Sequence, residues 1–279
     1  MKILILHLSD IHISEKTIPL INRAEKIVDS LKNLETEVIQ VLIAITGDIA
    51  FSGNELEYYG AANFFDALKE QVQRKITKNV HFIIVPGNHD CKFIEGSEDA
   101  RNQLIDGIRA KDFKPCADSI LDICLKNQKD FFSFCFDIYC DKPQLNTKKL
   151  FYQFIYGTDE YKILFNCLNT SWISIIKEED QYGKLGYVSD YIQNGIDSNF
   201  SISLLHHPLN WFSANNSKQL KRLLEKYSTI ILTGHEHEPN QNGVYNYKGK
   251  KLTTYIEGGI LQNNMNENEK GFQKSLETF

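Results

Sequence analysis

Three short runs rich in Ile, Leu and Val, Lys2 to Leu8, Ile39 to Ile45 and Val80 to Val85, dominate the first third of this 279-residue chain and show little polar alternation. Such runs suit strands buried on both faces, which occur in parallel sheets covered by helices. Between them, apolar residues recur at helical spacing: Ile21, Ala24, Ile27, Val28 and Leu31 within Pro19 to Leu34, and Ala61, Phe64, Phe65 and Leu68 within Glu55 to Val72. Strand, helix, strand, helix, strand is the order that a parallel sheet with crossover helices requires. It also fixes where chemistry can sit, because open α/β sheets bind ligands beyond the carboxyl ends of their strands.

The chain is near the upper limit for one hydrophobic core, which fits an α/β core carrying an inserted subdomain. Over residues 95 to 146 the strand pattern stops. Ile120, Cys124 and Leu125 have helical spacing, a cluster of Phe131, Phe132, Phe134 and Phe136 follows, and the stretch reads as an inserted helical cap between core segments 1–94 and 147–261. Strands resume at Leu150 to Tyr156, Lys162 to Leu168, Ser201 to Leu205 and Thr229 to Thr233, with a helix at Ser217 to Tyr227. Gly243 to Ile256 reads as a hairpin around Lys248-Gly249-Lys250. The tail 262–279 is polar and Asn-rich and stops soon after a fresh apolar position at Phe272, so we expect it to lead into a further domain of a longer protein.

With 42% apolar and 24% charged residues the composition is that of a folded globular protein. A net charge of −5, from 31 Lys plus Arg against 36 Asp plus Glu, gives no chain-wide signature of nucleic-acid binding. The apolar start, Met1 to Leu8, is too short to span a membrane and lacks a cleavage site, so no membrane partner is expected. Six irregularly spaced cysteines without a C-x-x-C pair fit a reducing compartment, and a cytoplasmic location is the expectation. No G-x-x-x-x-G-K sequence is present to cradle a nucleotide.

Five clusters fall where strands are expected to end: Asp10-Ile11-His12, Gly47-Asp48, Gly87-Asn88-His89-Asp90, His206-His207-Pro208 and Gly234-His235-Glu236-His237. Taken singly, the first two read as ordinary turns and the fourth as a strand stopped by proline. Taken together they bring carboxylates, imidazoles and one amide to one crevice, a donor set suited to Mn, Fe, Zn or similar divalent ions rather than to a thiolate site. The six histidines and three aspartates of these clusters exceed what one tetrahedral ion needs, whereas a pair of ions clamping an in-line displacement would draw on most of them.

In this order the clusters resemble those of the calcineurin-like metallophosphoesterase superfamily, over Met1 to about Gly259. The resemblance implies a two-sheet α/β sandwich with flanking helices. It implies that Asp10, His12 and His237 hold one divalent ion, that Asn88, His206 and His235 hold a second, and that Asp48 bridges them, with Mn ahead of Fe and Zn. His89 and Asp48 would be catalytic, His89 by stabilising or protonating the reacting ester. His206 is assigned as the ligand because the family's histidine stands two residues before the proline. That leaves His207 to contact substrate, as Asn88 also would. Asp90 is expected to orient its loop, and Glu236 to point away.

The reaction implied is hydrolysis of a phosphate ester by water or hydroxide held between the ions. The His-His-Pro form is similar to that of cyclic-nucleotide and glycerophosphodiester phosphodiesterases, which favours diesters, a nucleotide or nucleic acid among them, over monoesters. The alternative is a nucleotide-sensing module of a larger protein with little turnover.

Overall fold

In the computed structural model the described residues are 2–14, 21–31, 37–94, 96–139, 144–147, 149–158, 160–193, 196–247 and 249–261. The tail 262–279, Cys140 and Lys248 of the expected hairpin turn lie outside them.

The three apolar runs form a parallel sheet in the order β1 (Lys2–Leu8), β2 (Val38–Thr46), β3 (Val80–Val85). Crossovers run through α1 (Ile21–Asp29) and α2 (Glu55–Lys75). Asn54 starts α2 by a reciprocal cap: its side chain accepts from the Glu57 amide, and the Glu57 carboxylate accepts from the Asn54 amide. The register pairs Leu8 with Ile45 and Thr46 with Val85, so the loops leaving all three strands begin at one level.

The second sheet has seven strands in the order β4-β5-β6-β7-β8-β10-β9. They are β4 (Gln144–Thr147), β5 (Phe151–Gly157), β6 (Lys162–Leu168), β7 (Phe200–Leu204), β8 (Ile230–Thr233), β9 (Asn240–Asn246) and β10 (Lys251–Glu257). Strands β6, β7, β8 and β10 run parallel, and β9 and β10 form the hairpin expected from the sequence. Helix α6 (Ala214–Tyr227) connects β7 to β8. It starts three residues ahead of the expected Ser217, and Asn216 in its first turn accepts from the Tyr187 amide.

Period-two alternation splits each buried strand between two cores. Leu42, Ala44, Ile83 and Val85 of the first sheet face Phe154, Phe165, Cys167, Ile202, Leu204, Ile230 and Leu232 of the second, forming the inter-sheet core. Val41, Ile43, Ile45, Phe82 and Ile84 turn the other way, under Val28, Leu31, Phe64, Phe65 and Leu68 of α1, α2 and the short link after α1. On the far side, Phe151, Leu168, Leu205 and Ile231 pack beneath Leu220 and Leu224 of α6. The architecture is therefore helix, sheet, sheet, helix.

Residues 95–146 supply α3 (Glu98–Arg109), α4 (Asp118–Leu125) and α5 (Lys129–Ile138), and then β4. Their buried side chains join both outer layers. Phe131, Phe134 and Cys135 of α5 pack with α2, whereas Ile105, Ile108, Leu121 and Cys124 pack with Trp172 and the second sheet.

Phe165 is fully buried between the sheets. Phe165→Ala should destabilise the fold by about 3–5 kcal/mol, seen as a lower urea midpoint with an unchanged slope.

Candidate metal centre

All five clusters lie at strand ends, as the topology demands: Asp10, Asp48 and Asn88 beyond β1, β2 and β3, and His206 and His235 beyond β7 and β8. Their backbones turn sharply. Asp10 (φ 52°), His12 (φ 49°), Asp48 (φ 53°), His235 (φ 80°) and His237 (φ 61°) all adopt the left-handed region, at a cost of order 1–3 kcal/mol each. Hydrogen bonds between the loops hold them there. The amides of Ile11 and His12 donate to the Asp48 carbonyl at 2.8 and 2.9 Å, Gly234 donates to the His206 carbonyl at 2.9 Å, and Leu261 donates to the Asp10 carbonyl at 3.2 Å.

Asp90 braces the arrangement. Its buried carboxylate accepts from the amides of Gly87 (2.9 Å), Ala50 (3.0 Å) and Ile49 (3.3 Å) and from the Tyr58 hydroxyl (3.1 Å), so it joins the β2 and β3 loops to α2. Burial, together with the nearby Asp48 charge, pushes its carboxyl up to about 6. The close approach also explains Gly87: a Cβ there would lie 2.0 Å from Asp48 Oδ1.

The seven expected ligands converge in two groups that share Asp48 Oδ2. In the first, His12 Nε2 lies 3.2 Å from His237 Nε2 and 3.9 Å from both Asp10 Oδ1 and Asp48 Oδ2, and His237 Nε2 lies 3.4 Å from Asp10 Oδ1. In the second, His206 Nε2 lies 2.8 Å from Asn88 Oδ1, 3.1 Å from His235 Nδ1 and 3.4 Å from Asp48 Oδ2, and His235 Nδ1 lies 3.1 Å from Asn88 Oδ1. Donors about 2.1 Å from a common ion stand about 3.0–3.4 Å apart, the spacing found in both groups apart from the tighter 2.8 Å pair and the looser 3.9 Å pairs.

Polarity agrees with a cation. Asp10 Oδ1 is buried without a hydrogen-bond partner, which is costly for a carboxylate unless positive charge meets it. Burial disfavours a charged His206, but the Asp48 carboxylate outweighs that and raises its imidazole to about 10. The pocket thus holds a proton where an ion would compete for the same electrons.

His89 is half-buried beside this centre. Its amide donates to Asp48 Oδ1 at 2.9 Å, its Nδ1 stands 2.7 Å from the Phe51 carbonyl, and its ring is 4.7 Å from that of His12. His207 is buried, with Nδ1 3.0 Å from Thr170 Oγ1 and its ring 4.6 Å from that of His235. Burial and the neighbouring His235 and His206 hold it well below the usual histidine range. Glu236 points outward and accepts from Trp211 Nε1 (2.6 Å) and Asn210 Nδ2 (3.1 Å).

The two histidines outside the five clusters, His7 and His81, and Cys91 belong to neither donor group. His7 is half-buried with its Nε2 on Thr46 Oγ1 at 2.9 Å, and desolvation of the ring lowers it to about 4. His81 meets Asn79 Oδ1 at 2.6 Å. Cys91 is buried, and burial pushes its thiol up to about 12, far from a reactive thiolate.

Sequence reasoning missed three contributors. Glu178, in the 3-10 turn Glu178–Gln181 after β6, contacts both Asn88 Nδ2 and His235 Nε2 at 2.9 Å. Trp211 packs edge-on against His235 at 4.2 Å, and Thr170 holds His207. Glu178 belongs to an acidic run, Glu178-Glu179-Asp180, that reads as a solvated turn. Nothing local marks any of the three.

The family model for calcineurin-like phosphoesterases matches residues 3–239. The uncharacterized metallophosphoesterase-like protein YydB of Bacillus subtilis (strain 168) is 25% identical over 280 residues, covering 94% of this chain and 54% of its own length. The chain thus spans about half of that curated relative. The solved structure of vacuolar protein sorting 29 from Cryptosporidium parvum aligns with 93% of this chain and 75% of its own, at 16% identity and a TM-score of 0.31.

Gly87→Ala should displace Asp48 and abolish stoichiometric uptake of divalent metal, measured by elemental analysis after dialysis. Gly107→Ala, where an added Cβ meets open space on α3, should leave uptake unchanged and stabilise the fold by about 0.5–1 kcal/mol.

Proposed function

The chain belongs to the calcineurin-like phosphoesterase family, and from that membership and the donor geometry we propose that it hydrolyses phosphate esters with two divalent metal ions, diesters ahead of monoesters. The observation that carries this reading is the pair of donor groups sharing Asp48 Oδ2. Two cations held there would supply the charge that lowers the pKa of a water and neutralises phosphoryl oxygens during in-line displacement.

The protein's own groups divide the remaining work. Asp48 is oriented because Oδ1 takes the His89 amide, which leaves Oδ2 facing both donor groups. His206 donates its Nδ1–H to the Thr46 carbonyl at 2.7 Å, which turns Nε2 to the centre, where an ion would displace its proton. His89 does the converse for substrate. With Nδ1 donating to the Phe51 carbonyl, Nε2 is left to meet an ester oxygen and exchange a proton with it. Half-exposed Phe51, 5.5 Å from the His89 ring, offers that group an apolar flank.

Two observations support diesters. The His206-His207-Pro208 form is one, and the charge beside the centre is the other: Glu178 stands against it and repels a monoester dianion more than a diester monoanion. A nucleotide or nucleic-acid diester would satisfy both. Mn leads Fe and Zn among the candidate ions, though imidazole and carboxylate donors suit all three. The described cysteines are free, which supports a reducing, cytoplasmic setting, and no helix among the described residues is long and apolar enough to cross a membrane.

Metal-stripped protein resupplied with Mn²⁺ should cleave bis(p-nitrophenyl) phosphate faster than p-nitrophenyl phosphate. Asp48→Asn should lower diester turnover about a thousandfold, equivalent to roughly 4 kcal/mol of barrier. Faster monoester cleavage would overturn the diester preference. Protein that binds two ions yet cleaves neither compound, nor a cyclic or linear nucleotide diester, would overturn the hydrolase reading in favour of a nucleotide-sensing module.

A further inference from the structure

We propose that Glu178 is a positioning residue for the second metal ion, fixing both the amide orientation of Asn88 and the ring tautomer of His235. The inference rests on the two-ion reading of the site and extends it to a residue on the far side of two ligands.

Each ligand carries a hidden binary choice. An Asn amide can present oxygen or nitrogen to a cation, and only oxygen has a lone pair to give. Asn88 Oδ1 faces His206 Nε2 and His235 Nδ1, while Nδ2 donates to Glu178 Oε2 at 2.9 Å. Flipping the amide would set its oxygen against an acceptor-only carboxylate and its NH2 against the ion.

A neutral imidazole likewise protonates one nitrogen and coordinates with the other. His235 turns Nδ1 toward Asn88 Oδ1 and His206 Nε2, both at 3.1 Å, and Nε2 toward Glu178 Oε1 at 2.9 Å. Glu178 accepts the Nε2 proton and so leaves the Nδ1 lone pair free. The other histidine of this group is set in the same way, by an oxygen on its outer nitrogen, but that oxygen is the Thr46 carbonyl.

One carboxylate therefore makes both choices, with one oxygen for each ligand, and a glutamine could accept from only one of the two. The turn bearing Glu178 is anchored from behind, where buried Gln181 donates to the Ile173 carbonyl at 2.8 Å and accepts from the Ile175 amide at 3.1 Å. Glu178 makes these contacts with the second group, and in the first group His12 Nδ1 is buried without a partner. The effect should be confined to one ion.

The test is Mn²⁺ titration of metal-free protein by calorimetry, with elemental analysis for stoichiometry. Wild type should take up two ions. Glu178→Ala should weaken one site about 10–100-fold and leave the other unchanged, Glu178→Gln should fall between, and Glu179→Gln should match wild type. In the metal-free protein near pH 8, ring ¹⁵N resonances of His235 should show the Nε2-protonated tautomer in wild type and a mixture in Glu178→Ala. Wild-type affinity at both sites in Glu178→Ala, or an unchanged His235 tautomer, overturns the proposal. Two-ion uptake by a wild type that hydrolyses nothing would sink the hydrolase reading and leave this one standing. Uptake of fewer than two ions by wild type would sink both.

Discussion

Asp48 ties four strand ends together. Its carbonyl accepts the Ile11 and His12 amides of the β1 loop, its Oδ1 accepts the His89 amide of the β3 loop, and its Oδ2 stands 3.4 Å from His206 beyond β7. A carboxylate held this deeply, 1% exposed, is stable only where positive charge and hydrogen bonds surround it. The neighbouring residues follow from that demand. Histidines supply the compensation, Gly87 makes the room, and Asp90 fixes the two loops that flank it.

The scaffold and the site answer to opposite demands. The strands pack by simple alternation, one face into the inter-sheet core and the other under helices, with little strain. The loops that leave them hold five of the candidate donors in left-handed backbone, a local cost that hydrogen bonds to adjacent loops make sustainable. Strain is placed where donor direction matters, at the ends of strands whose registers are fixed by the cores. Rigid strands are what permit strained loops.

Around the candidate donors lies a ring of groups that contact them from outside. The Thr46 carbonyl and Glu178 occupy the outer nitrogens of His206 and His235, Thr170 holds His207, and Trp211 covers one edge of His235 while donating to Glu236. Metal sites depend on such contacts for the orientation and basicity of their donors. Most of them come from the β6–β7 connection and the turn after β7, far in sequence from the candidate donors on the first sheet.

Read alone, the sequence determined the elements and where along them the candidate donors fall. Hydrophobic period placed β1, β3 and β6 at their observed bounds, and the strand-helix alternation put Asp10, Asp48, Asn88, His206 and His235 at strand ends, because both signals are local. It left open how residues 95–146 divide between two outer layers, since a helical period does not say which sheet its apolar face will cover. Nor could it single out Glu178, whose acidic run reads as solvated until the fold brings it to Asn88 and His235. Which nitrogen of each histidine faces the centre, and which oxygen of Asp48 is shared, were decided only by tertiary structure. Those choices depend on hydrogen-bond partners that chain topology, not sequence neighbourhood, delivers to the outer side of each ligand.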